Sequence, residues 1–137
     1  MNSLSTNIEK RSVMVIKDNI DILINETKSW EQLLYMLKQE NIYLKTKLSE
    51  VVDPSTDKDF LALAEQFQNQ FILKDEFMDE LLHDVREQQQ KLQIINDPIT
   101  DEKLQKKQKK LRNEIGYLNK DFVRIKNEFI NYLANVL

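Results

Sequence analysis

Three long runs of this chain each keep an unbroken alternation of three- and four-residue steps between core-type positions. The first passes through Val13, Ile16, Ile20, Leu23, Thr27, Trp30, Leu34, Leu37, Asn41, Leu44, Leu48 and Val51. The second passes through Phe60, Ala64, Phe67, Phe71, Lys74, Met78, Leu81, Val85, Gln88, Leu92 and Ile95. The third passes through Leu104, Gln108, Leu111, Ile115, Leu118, Phe122, Ile125, Phe129, Tyr132 and Val136. Such alternation keeps one stripe of side chains facing a neighbouring helix, the a/d seam of a left-handed coiled coil. Three seams of similar length joined by short turns specify an all-α, elongated antiparallel three-helix coiled-coil bundle.

The turns are written in the sequence. Asp53-Pro54-Ser55-Thr56-Asp57 and Asp97-Pro98-Ile99-Thr100-Asp101 are near-copies and hold the only two prolines. A residue before proline is pushed out of the α region, which ends the preceding helix. Thr56 and Thr100 are the expected N-caps of the next helices, with Asp57, Asp101 and Glu102 set against the positive helix ends. Thr6-x-x-Glu9 reads as a capping box opening the first helix. Helices are therefore expected at about 7–51, 57–95 and 101–136 of one domain covering 1–137. Asn25-Glu26-Thr27-Lys28-Ser29 is poor in helix formers, but the seam runs through it without a skip, so the first helix is expected to continue. The architecture resembles the spectrin-repeat type of three-helix coiled coil, in periodicity alone.

Stacking the seams places Leu44, Phe67 and Tyr132 in one layer, Leu34, Met78 and Phe122 in another, and Trp30, Leu81 and Leu118 in a third. Five polar residues, Thr27, Asn41, Lys74, Gln88 and Gln108, fall in five different layers, each between apolar partners. Buried amides without partners cost about 1–3 kcal/mol, so these groups must reach solvent, backbone or an adjacent layer. Lys74 is expected to snorkel outward toward the surroundings of Asp75 and Glu76. The role expected of these five is to set register.

Chemistry-bearing groupings are sparse. The chain has no cysteine, which excludes thiol chemistry and Cys-ligated metal. His83 is the only histidine; Glu80-x-x-His83 has the spacing found in di-iron bundles, but Leu81 takes the inward position. Asp79, His83 and Glu87 form an i, i+4, i+8 trio that reads as a solvated face. There is no glycine-rich phosphate loop. No catalytic residue, cofactor, metal or small-molecule substrate is expected, and the chain is read as a non-enzyme. No stretch has a signal-peptide core or the roughly 18 apolar residues of a membrane helix, so the expected location is cytoplasmic. With 20 basic and 23 acidic residues the net charge is −3, which gives no global bias toward nucleic acid.

Two surfaces stand out. Lys103, Lys106, Lys107, Lys109, Lys110 and Arg112 crowd the start of the third helix, with Lys10, Arg11, Lys17 and Lys91 at the same end. This is a candidate collar for RNA, anionic lipid or an acidic partner, though no aromatic residue interleaves the lysines for base stacking. On the first helix, away from its seam, Ile22, Asn25, Ser29, Gln32, Met36, Gln39 and Tyr43 form an apolar or neutral stripe flanked by Tyr35 and Ile42. In a chain with 31% charged residues, three uncharged turns read as a surface for self-association or a protein partner, centred on Gln32, Tyr35, Met36, Gln39, Ile42 and Tyr43. The third helix has a smaller analogue in Val123, Ile130, Leu133 and Leu137. These features suit an interaction or structural module: a spacer, adaptor or oligomer subunit. The alternatives are a small helical chaperone or secretion partner that holds a client helix, and an anionic-partner binder using the basic end.

Overall fold

The computed structural model describes residues 2–52 and 57–136, with the side chains of residues 2–8, 16 and 136 outside the description. Three helices pack against one another: α1 (Asn2–Val52), α2 (Lys58–Ile94) and α3 (Glu102–Val136). No strand occurs among the described residues. No helix of the described residues is long and apolar enough to cross a membrane.

The core sits where the seams place it. Trp30, Leu34, Leu37, Leu44 and Leu48 of α1 are buried, as are Phe71, Met78, Leu81, Val85 and Leu92 of α2. Every described α3 seam residue from Leu104 to Phe129 is buried too. Leu82, one position outside the α2 seam, joins them at 4% exposure. α1 is unbroken through Asn25–Ser29. Its poor helix formers are accommodated locally: the Thr27 hydroxyl donates to the Ile24 carbonyl at 2.7 Å, and Ser29 donates to Glu26 at 2.9 Å. Each hydroxyl is thereby satisfied within the helix instead of drawing the backbone into a turn.

The helices are not matched in length. α1 has 51 residues, α2 37 and α3 35. At 1.5 Å per residue these are helices of about 77, 55 and 52 Å. α1 begins at Asn2, so Thr6 lies inside it and the expected capping box does not open it; no proline or glycine precedes Thr6 to stop the helix. The amide of Gln108, in the second turn of α3, reaches the Leu23 carbonyl, which sets the start of α3 beside the early twenties of α1. Upstream of about residue 18, α1 therefore projects past the α2–α3 turn by roughly 25 Å. Val13, a seam residue by its spacing, is 65% exposed because neither α2 nor α3, as far as the described residues run, continues beside it.

The caps also differ from expectation. Asp57, not Thr56, caps α2 through a bond from the Phe60 amide, and Asp101, not Thr100, caps α3 through the Leu104 amide. Thr56 itself lies outside the described residues. Thr100 is already committed, donating to the Asp97 carbonyl inside the turn. A carboxylate at the next position then accepts the helix amide and also meets the positive helix end.

Candidate functional site

The seam of α1 turns one side of the helix into the bundle and leaves the opposite side to solvent. On that outer side Tyr35 is 44% exposed, Met36 57%, Ile42 46% and Tyr43 59%. Gln32 and Gln39 between them are exposed as well. The apolar members continue upstream to Ile22, and beyond the expected stripe to Val15 and Met14, both more than half exposed. Val15 was missed because the projection of α1 is not visible in the sequence. The signal was there: positions 15, 22, 29, 36 and 43 recur at intervals of seven.

What surrounds this face is charge that is already used. Every charged side chain of α1 from Glu31 to Glu50 makes an ion pair within the molecule. Glu31 meets Arg86 at 3.8 Å and Lys47 meets Glu50 at 3.3 Å. Lys38 pairs with Asp79, Lys45 with Asp75, and Glu40 with Lys126. Two of these cations also brace the tyrosines, Arg86 over the Tyr35 ring and Lys47 over the Tyr43 ring, each 5.5 Å from the centroid. The face is thus a charge-poor strip whose borders are neutralised by contacts to α2, α3 and α1 itself.

Four of the five polar seam residues reach a partner on another helix. Asn41, fully buried, donates to the Phe71 carbonyl at 2.9 Å and to Asp75 at 2.6 Å. Lys74 does not turn toward Asp75 or Glu76; it pairs with Asp121 of α3, and both side chains are only 15% exposed. Asp75 is occupied by Asn41 and Lys45, which leaves Asp121 as the carboxylate in reach. The Lys74 hydrogen bond holds the Asp121 carboxyl below its usual range, against a smaller opposing effect of burial. Gln88 and Gln108 join each other at 3.0 Å, and Thr27 satisfies itself on its own helix.

The basic end is partly consumed. Arg112 is bidentate on Glu26, at 2.8 and 2.7 Å. That contact drives the Glu26 carboxyl below its usual range and raises the guanidinium. Lys107 meets Asp84 at 3.1 Å and Lys110 meets Glu114 at 3.7 Å. Lys103, Lys106 and Lys109 are exposed and make no ion pair among the described residues. Lys10 and Arg11 sit on the projecting part of α1, past the start of α3 that carries Lys103. The expected collar of ten cations is therefore two smaller groups.

His83 is exposed and its neighbours are Asp84 and Glu87, with ligand atoms within 4.8 Å of one another. Asp79 of the expected trio is drawn away to Lys38, and Asp84 is shared with Lys107. A cleft of about 260 Å³ lies between the end of α2 and the start of α3, lined by Gln88, Lys91, Ile94, Ile95 and Leu104 among others. Its walls are mainly apolar, and no nucleophile–base pair lines it. No family model matches the sequence, and neither curated proteins nor solved structures give a match.

Proposed function

We propose that this protein is a helical interaction module, without enzymatic activity, that binds a protein partner or itself through the outer face of α1. The observation that supports this reading is the pairing of two facts on one helix. Tyr35, Met36, Ile42 and Tyr43 stand in solvent, while every charge from Glu31 to Glu50 is tied up inside the molecule. Docking on such a strip buries apolar area and desolvates no free charge, which is the composition of the buried centre of protein interfaces. Tyrosine suits the task because its ring buries while its hydroxyl stays at the wet rim.

The reading is tested by Met36→Glu combined with Tyr43→Glu, which sets two carboxylates on the strip and leaves the seam alone. Helicity is expected to stay as in the wild type, and so is the thermal transition at protein concentrations too low for association to contribute. The self-association of the wild type, or its recovery of partners from the native cell, is expected to be lost. A double variant that keeps the same assembly and the same partners overturns the reading.

A further inference from the structure

We propose that the outer face of α1 docks against the same face of a second copy of this chain, the two helices antiparallel about a twofold axis beside Ser29. This rests on the reading of that face as a docking surface and names its occupant. The row Val15, Ile22, Ser29, Met36, Tyr43 recurs every seven residues, so it stays in line along two helices that wind around each other. The row is also self-complementary about its midpoint. Reversed on itself it sets Ile22 beside Met36 of the second copy and Val15 beside Tyr43, the slimmer side chain against the longer each time. Ser29, small and exposed, falls at the axis, where the two backbones come closest.

Charge selects the antiparallel sense. The companion row, three residues further on, is Asp18, Asn25, Gln32 and Gln39, preceded by Arg11. A parallel pair in register sets Asp18 on Asp18 and Arg11 on Arg11 in the contact. Reversal sets Asp18 beside Gln39 and Arg11 beside Thr46, so the companion row brings no like charges together, and the only like pair left near the axis is exposed Lys28 with its own copy, which a parallel pair would form as well. A helix pair of opposite sense also gives the projecting part of α1 something to lie along, because Val15 then rests by Tyr43 on the body of the other bundle. Val15, Ile22, Tyr35, Met36, Ile42 and Tyr43 are each between 44% and 64% exposed, and together they supply the apolar centre that a stable interface of about 800 Å² per partner needs.

The chain has no cysteine, so thiols introduced singly at Val15→Cys or Ser29→Cys carry nitroxide labels without background. In the antiparallel pair the two labels at position 15 lie about 40 Å apart, at 1.5 Å of rise per residue either side of the axis. The two at position 29 lie within about 20 Å, since packed helix axes are only 8–10 Å apart. Dipolar spectroscopy on each variant is expected to return that long and short pair of distances, and adding Met36→Glu is expected to abolish both. A short distance at both positions makes the pair parallel and overturns the proposal. No coupling at either position, with sedimentation giving a monomer, overturns the second copy as occupant. The docking reading then stands or falls separately on whether Met36→Glu with Tyr43→Glu loses its cellular partners.

Discussion

The two ends of this bundle are closed by different physics. At the end near the α1–α2 turn, Phe60 stacks on Tyr132 at 5.1 Å, Phe67 meets Phe129 at 5.3 Å, and Phe71 meets Phe129 edge to face at 5.2 Å. Among these rings one polar bond is formed, from the Tyr132 hydroxyl to the Phe60 carbonyl, and burial pushes the Tyr132 phenol up. At the other end a chain of hydrogen bonds crosses all three helices. Gln88 donates to the Leu104 carbonyl and to Gln108; Gln108 donates to the Leu23 carbonyl and to Glu26; Arg112 completes Glu26. The first closure is non-directional and grows with area. The second is directional, so each member's worth depends on the others being in place.

The largest expected effect is at the aromatic end. Phe71 is fully buried between Phe67 and Phe129, and Phe71→Ala is expected to cost about 3–5 kcal/mol from lost transfer energy and the cavity left behind. Urea midpoints at unchanged m-value measure it. A loss under about 1 kcal/mol would take Phe71 out of the core and with it the aromatic closure.

This contrast also separates what the sequence discloses from what it hides. The apolar seam was legible because hydrophobic packing needs only the right period. Phe67 and Tyr132 meet at 5.2 Å, in the layer the spacing assigns. The polar partners were not legible. A side chain as long as Lys74 or Gln88 spans a full turn, so its partner is chosen by which acceptor is still free, not by which position is opposite. Asp75 is taken by Asn41 and Lys45, and Lys74 therefore crosses to α3. Caps were legible to within one residue, since Thr100 and Asp101 compete for one role and the hydroxyl was already spent in the turn. The uncharged strip on α1 was visible from Ile22 to Tyr43, whereas its extension to Val15 needed the projection of α1 to be seen.

The polar end should respond less, and non-additively. Gln108→Leu leaves the buried Gln88 amide with one partner fewer and removes a donor from Glu26, for an expected loss of about 1–3 kcal/mol. Adding Gln88→Leu replaces both amides by apolar groups of similar size, and the double variant is expected to lose less than the sum of the two single losses. A double-mutant cycle in urea measures the coupling. Strict additivity would mean that the two amides act independently and that the chain of bonds is not a unit.

The smallest effect belongs to the region where the comparison runs out, the projection of α1 beyond both closures. Val13 and Leu34 occupy equivalent steps of the same seam, yet Val13 is 65% exposed and Leu34 is fully buried. Leu34→Ala is expected to cost about 2–5 kcal/mol. Val13→Ala is expected to stay within about 0.5 kcal/mol, since a surface truncation creates no cavity and alanine is the better helix former. The prediction holds even with a second copy docked, because Val13 lies on the side of α1 away from Val15; two residues of helix separate them by about 200°. Equal losses at the two sites would show that a layer of side chains covers Val13 in solution, and that the seam of α1 is packed along its whole length.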